Sequence, residues 1–292
     1  SRIYYQIGLC NEFLRRSKSS SFRDSQTMKT YEAEARALRA LSYLHAIDMF
    51  GNVPFATEAN SVGSTGPDRI SRANLFKWLD KECDEMLAGS DLKEIGANVY
   101  GRLDKGFVMM IQAKLNLNAA VYLGISDAEA KEYFNKAGTL CKDIKAKYPA
   151  LHETVEIDGN SYHELFMADN DKWNAKEIIF CVPQDGNNIQ SYGGTTFLIK
   201  AAIKSGAMGV NDGWGGINVT PEFIKLFGST DSRNLLWGGG PNGDFPKDLA
   251  DFKDFTSGWS AYKFSNLRSD GQPAQAVNFP DTDFPLFRTA DA

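Results

Sequence analysis

Nowhere in the sequence do apolar residues run to the roughly 18 in succession that a membrane-spanning helix needs. No charged-then-apolar leader opens it, and no cysteine stands at the N-terminus to take a lipid. Clusters of lysine and arginine are missing as well, and the net charge is −5. A phosphate backbone needs a basic footprint, so the composition argues against a nucleic-acid partner. Only four cysteines occur, Cys10, Cys83, Cys141 and Cys181, far apart and without CxxC spacing. They read as buried small hydrophobes, and spacing selects no disulfide pairing. The three histidines, His45, His152 and His163, form no helical metal pair and no HExxH. His45 is expected to pack on a helix and the other two to lie at the surface. The nucleophile elbow, the P-loop and the dinucleotide fingerprint are absent too. The sequence therefore points to no catalytic residue, no cofactor and no metal.

What is present is 292 residues of globular composition, 42% hydrophobic and 24% charged, enough for one large or two modest cores. The stretch 31–57, YEAEARALRALSYLHAIDMFGNVPFAT, organises the rest. Ala33, Ala35, Ala37, Ala40 and Ala46 supply the best helix former and the smallest side chain, so neighbours can approach on several sides. Tyr31, Leu38, Leu41 and Leu44 recur at helical spacing, and Gly51-Asn52 with Pro54 just beyond ends the helix. The same reading gives helices over Arg72–Ala88 behind Ser71 as cap, from Asp104 to Gly124, and from Ser126 or Asp127 to Tyr148, where Pro149 stops it. The opening SRIYYQIGLCNEFLRR reads as a helix already under way. The closing DTDFPLFRTADA reads as a helix just beginning after Asp281 or Asp283 as cap. The chain is therefore expected to be a piece of a longer protein.

After Pro149 the helical periodicity fades, and Gly, Asn, Asp and aromatics take over. Glu177-Ile178-Ile179-Phe180-Cys181-Val182 fits a buried strand. Three glycine-rich polar loops follow, around Tyr192, Trp214 and Trp237. Thr220-Pro221 opens a short helix, Glu222 to Phe227, and the segment from Trp259 to Phe264 suggests a strand in a small sheet.

Glu34-Ala35-Arg36, Leu38-Arg39-Ala40, Tyr43 and Phe50-Gly51-Asn52-Val53-Pro54 resemble the signature helix of the SusD/RagB family. Those are surface nutrient-binding lipoproteins of Bacteroidota, paired with TonB-dependent, SusC-like outer-membrane transporters. Further landmarks similar to the family's follow in order: Gly101-Arg102, Ala137, Tyr162 with Leu165 and Phe166, and Asn174 with Glu177 to Phe180. Then come Thr220-Pro221-Glu222 before Phe227, Asp231-Ser232-Arg233, Tyr262-Lys263-Phe264, and Asp283-Phe284-Pro285 with Arg288. The resemblance covers essentially the whole chain. It implies a mainly α fold: a tetratricopeptide-like helical scaffold over 1–150 and a loop-rich mixed α/β subdomain over 151–292 carrying the ligand site. It also implies a place at the cell surface on the outer membrane, with membrane contact only through an N-terminal lipid absent from this chain. A lipidated cysteine, an early segment bearing part of the site and a closing helix are expected of the family and lie outside this sequence.

Sugars present apolar C–H faces and a rim of hydroxyls, which aromatic rings and planar amide or carboxylate groups match. The loops pair Tyr192 with Asn188, Trp214 with Asn211 and Asp212, and Trp237 with Asn234 and Asn242. Tyr192, Trp214, Asn211, Asp212, Asn188 and Trp237 are accordingly the candidate ligand contacts. The function read from the sequence is non-catalytic capture of an oligosaccharide or polysaccharide for a SusC-like transporter. A protein-interaction scaffold of the same complex and a peptide-binding variant are the alternatives. A glycosidase would need two carboxylates flanking the sugar; Asp212, Glu222 and Asp231 are the nearest candidates, and each has a simpler structural reading. The alternating Asp and Asn of 169–174 lack the Gly and the closing Glu of a calcium loop.

Overall fold

The computed structural model describes the chain except residues 1, 61–62, 64–65, 154–158, 174–176, 205, 229, 239–247, 249–250 and 256, and the side chains of Trp173 and Trp237. The chain divides into two units, Ser1–Pro149 together with Thr289–Ala292, and Ala150–Arg288. The last four residues thus group with the first unit and not with the second.

The first unit is helical. Helices α1 (Arg2–Ser17), α2 (Gln26–Phe50), α3 (Arg72–Ala88), α4 (Lys105–Leu117), α5 (Ala119–Leu123) and α6 (Lys131–Lys147) follow one another, and a two-residue ladder of β1 (Val53–Pro54) with β2 (Arg69–Ile70) closes the base of the loop after α2. α2 starts earlier than its apolar stripe because the Ser25 hydroxyl accepts the Met28 N–H at 3.2 Å. It ends where Gly51, at φ 68°, donates to the Ile47 carbonyl. α1, α3 and α4 all pack on it, and Ala37, Ala40 and Ala46 are fully buried, as close approach on several sides demands. His45 departs from expectation, since it is exposed on α2.

The helix expected from Asp104 to Gly124 is broken in two. Asp104 caps α4 by accepting the Gly106 and Phe107 N–H groups. At Asn118 the side chain donates to the Lys114 carbonyl and the backbone N–H tightens onto Leu115, local bonding that competes with the α-helical ladder. Ser126 and Glu129 form a reciprocal capping box one turn ahead of α6.

The second unit has short elements: α7 (Ser161–Glu164), β3 (Ile178–Val182), α8 (Gly194–Lys200), α9 (Pro221–Ile224), β4 (Leu236–Trp237), β5 (Ser260–Ala261) and β6 (Phe284–Arg288). Thr220 caps α9 with Pro221 at its first position. β4 pairs with β5, and β3 pairs antiparallel with β6, placing Cys181 opposite Pro285. The closing segment is therefore a strand, not the start of a helix. The reason is Asp283, whose carboxylate accepts the Gln184 N–H at 2.6 Å across the sheet, leaving no cap for its own chain.

Two buried amides fasten the loops. Asn170 donates to Leu165 and Asp283 carbonyls and accepts the Asp283 N–H; Asn266 donates to Gly209 and Ala276 carbonyls and accepts the Asp281 N–H. Asp169 is taken up by Ser269 and Lys172, so in the 169–174 segment this carboxylate serves the fold, while residue 174 lies outside the described residues. His152 and His163 correct the expectation of surface histidines. Both are buried, and His152 lies 2.8 Å from Glu164 while its N–H is accepted by Glu177, which also receives Arg288. All four cysteines are free thiols, Cys141 half-buried and the others buried. Among the described residues no helix is long and apolar enough to cross a membrane, and no group of three or more His, Cys, Asp or Glu is placed to hold a metal ion.

Candidate functional site

The site is built outward from β3. Beyond Val182, the Asp185 carboxylate accepts the N–H groups of Asn187 and Asn188 at 2.9 and 3.0 Å, an Asx turn. The Asn188 amide and these N–H groups hold the Asp185 carboxyl below its usual range. Gly186 donates to Asp281 at 2.7 Å, and a Cβ there would stand 1.9 Å from the Phe279 carbonyl oxygen. Only glycine permits that approach. The turn delivers the chain to Tyr192, which is 71% exposed.

α8 follows at once, opened by Gly194 at φ 58°. It turns Phe197 outward and Lys200 inward. The returning loop lies along the end of α8 by three backbone bonds: Trp214 to the Lys200 carbonyl at 2.7 Å, Gly215 to Ile203 at 2.7 Å and Ile217 to Ala201 at 3.0 Å. Ile199, Ile203 and Val210 form the small core beneath.

These bonds bring four rings together. Tyr192 and Trp214 have centroids 6.1 Å apart with planes inclined at 44°; Phe279 meets Tyr192 at 5.2 Å and Phe197 meets Trp214 at 6.5 Å. Trp214 keeps 37% of its surface open, so the pair with Tyr192 presents accessible aromatic area. The rim is polar. Asn211 donates its side-chain amide to Asn278 at 2.6 Å, and Asp212 is ion-paired to Lys200. Such a surface has what a sugar needs: ring faces for C–H contact and planar donors and acceptors for hydroxyls.

Of the six predicted residues, Tyr192, Trp214, Asn211 and Asp212 meet in this one place. Asn188 stays on the approach turn, its amide given to Asp185 at 2.7 Å. Trp237 lies in β4, and its side chain, like all of Asn242, lies outside the described residues. Sequence reasoning missed Phe197, Lys200, Asn278 and Phe279. The first two were signalled weakly by GTTFLIK directly after the glycine pair. The last two come from the far end of the chain, and no local pattern marks them.

The remaining carboxylates are occupied. Asp231 is held at about 2 by the Arg233 guanidinium and backbone N–H. The backbone N–H at Glu222 and the Thr220 hydroxyl hold the Glu222 carboxyl low. Neither is poised as a proton donor at neutral pH. Two open grooves of about 440 and 380 Å³ lie on the first unit, one beside Phe50, Arg72 and Tyr122, the other beside Phe55, Asp68 and Asn74. Tyr192, Trp214, Asn211, Asp212 and Asn188 are not among the described residues that line either.

No protein-family model matches the chain. The chain is similar to the starch-binding protein SusD of Bacteroides thetaiotaomicron, at 31% identity over 340 aligned residues, covering 100% of this chain and 58% of that protein. Among solved structures it is similar to a SusD superfamily protein from Parabacteroides distasonis, with a TM-score of 0.71 and 22% identity over 99% of this chain and 59% of that one. It is also similar to surface glycan-binding protein A from Bacteroides uniformis, with a TM-score of 0.69 and 17% identity over 99% of this chain and 58% of that one. At such identities the two structural likenesses speak for the fold. The chain spans under three-fifths of the length of each of these relatives.

Proposed function

The chain is a SusD-like family member, and on that premise we propose that its second unit captures a glycan at the Tyr192–Trp214 surface and releases it chemically unchanged. The observation that carries this reading is the pair of exposed rings 6.1 Å apart, rimmed by Asn211 and Asp212. The relative at 31% identity is named for binding starch, so starch heads the list of ligands to try. Following the family, the captured glycan passes to a SusC-like TonB-dependent transporter, and the whole protein sits at the cell surface on the outer membrane. Catalysis forms no part of the proposal, because Asp231 and Glu222 are tied in salt-bridge and helix-start roles.

The test is retention in affinity gels containing soluble starch, laminarin or xyloglucan. Trp214→Ala is expected to weaken retention by about tenfold, equivalent to ~1.4 kcal/mol, with the melting temperature nearly unchanged. A large fall in melting temperature with retention intact would make the ring a packing element and sink the proposal.

A further inference from the structure

We propose that Lys200 is a positioning residue of this surface: its buried ammonium fixes both the ring plane of Trp214 and the Asp212–Asn211 rim. The inference rests on the glycan-binding reading above. Lysine is among the residues least often buried, because its charge must be desolvated. Lys200 is nevertheless only 3% exposed. A core position with nothing to hold would be served as well by methionine, which fills the same space without that cost.

What the charge does is visible in its partners. The ammonium has three donors. It donates to Asn211 Oδ1 at 3.3 Å and to Asp212 Oδ1. It also stands 5.8 Å from the centroid of the Trp214 ring, within reach of the ring's negative face. The carbonyl of the same residue accepts the Trp214 N–H at 2.7 Å. One residue thus grips the 211–214 segment at the rim, at the ring and at the backbone. Asp212 remains 53% exposed at its side chain while bonded inward. Its carboxylate is therefore drawn to one orientation with much of its surface still facing the ligand side. The ring and the rim are set by a single buried cation, and neither has to be ordered when a ligand arrives.

The test compares Lys200→Met, Lys200→Arg and wild type, each also made with Trp214→Phe so that the Trp214 emission is obtained by difference. Lys200→Met is expected to shift Trp214 emission to the red, raise its quenching by acrylamide, and lower retention by soluble starch at least tenfold, with circular dichroism unchanged. Lys200→Arg, which keeps a cation at that place, is expected to restore both signals most of the way. Trp214 emission and quenching identical in Lys200→Met and wild type overturn the inference. Should Lys200→Met fail to fold, Asp212→Asn takes its place: it releases one anchor of the ammonium from the exposed side. A Trp214 signal unmoved by that change is equally fatal. The fluorescence needs no ligand. A wild-type protein that retains no glycan therefore ends the binding reading, while the role of Lys200 is still judged on Trp214 alone.

Discussion

Gly186 carries more of the site than its size suggests. Any side chain there collides with the Phe279 carbonyl and with the Ala276 Cβ, at 1.9 and 2.7 Å from an ideal Cβ, and the first of these is backbone that cannot rotate away. Phe279 in turn packs edge-on against Tyr192. Gly186→Ala is expected to cost ~1–3 kcal/mol in urea unfolding and to weaken glycan retention by displacing Phe279 from Tyr192. A variant with unaltered stability would show that the turn relaxes freely. At this scale the sequence was readable where chemistry and conformation coincide. Tyr192 and Trp214 stand in glycine-rich loops with amides beside them, and that pairing is local. Lys200 was only weakly readable and Phe279 not at all, because burial under a loop and arrival from a distant loop leave little local trace. His152 and His163 misled for the same reason: a polar residue is usually outside, and their partners, Glu164 and Glu177 for one and the Tyr262 ring for the other, are made by tertiary structure.

Among the elements, α2 sets two arginines against the buried Glu82 of α3. Arg39, nearly buried, donates to Asn11 at 2.8 Å, Glu58 at 2.5 Å and Glu82 at 3.1 Å, and its guanidinium lies 5.5 Å from the Trp78 ring. Arg36 holds the same Glu82 by two bonds of 2.9 Å. Arg39→Met leaves Glu58 without its bonded partner and Glu82 half-compensated in a buried setting, so a loss of ~3–5 kcal/mol is expected by denaturant titration. Glu82 adds a pH dependence. Burial pushes its carboxyl up, and the Arg36 and Arg39 guanidiniums outweigh burial and hold it below the ordinary range. A depressed folded-state pKa stabilises the protein above the unfolded value, near ~4.3, and that contribution fades as pH falls through the lower, folded value. The melting temperature of wild type should therefore drop more steeply between about pH 5 and 3 than that of Glu82→Gln. Parallel curves would mean that Glu82 titrates alike in both states. Helices α2 and α3 were legible from apolar period, and the start of α3 from its capping Ser71; the start of α2 behind Ser25 was not. The break at Asn118 was not, because one amide choosing its own i−4 carbonyl leaves the apolar stripe intact. β6 was read as a helix start because an aspartate before an apolar run fits either role, and only the partner strand decides.

For the whole molecule, the chain divides into two units, the first of packed helices and the second with loops cinched around Asn170 and Asn266. Urea unfolding is expected in two steps. Arg39→Met should move the step that carries most of the helical signal, and Gly186→Ala the other. One shared transition shifted by both changes would show a single cooperative block. The helices before Pro149 could be read from their apolar period, and the mainly helical class followed from the family resemblance. The grouping of the last four residues with the first unit could not be read, since TADA is too short to carry a periodic pattern of its own. The pairing of β3 with β6 also fixes an order of events during synthesis. Every ring and amide of the Tyr192–Trp214 surface leaves the ribosome before Phe284–Arg288 does, and Asp281 and Asp283, which hold Gly186 and Gln184, emerge only just ahead of it. Helices formed from near neighbours can settle while translation continues. The loops around Tyr192 and Trp214 must wait for Asp281 and Asp283, so on the proposed reading a chain interrupted just before Asp281 would yield a sound helical frame with nothing able to hold its cargo.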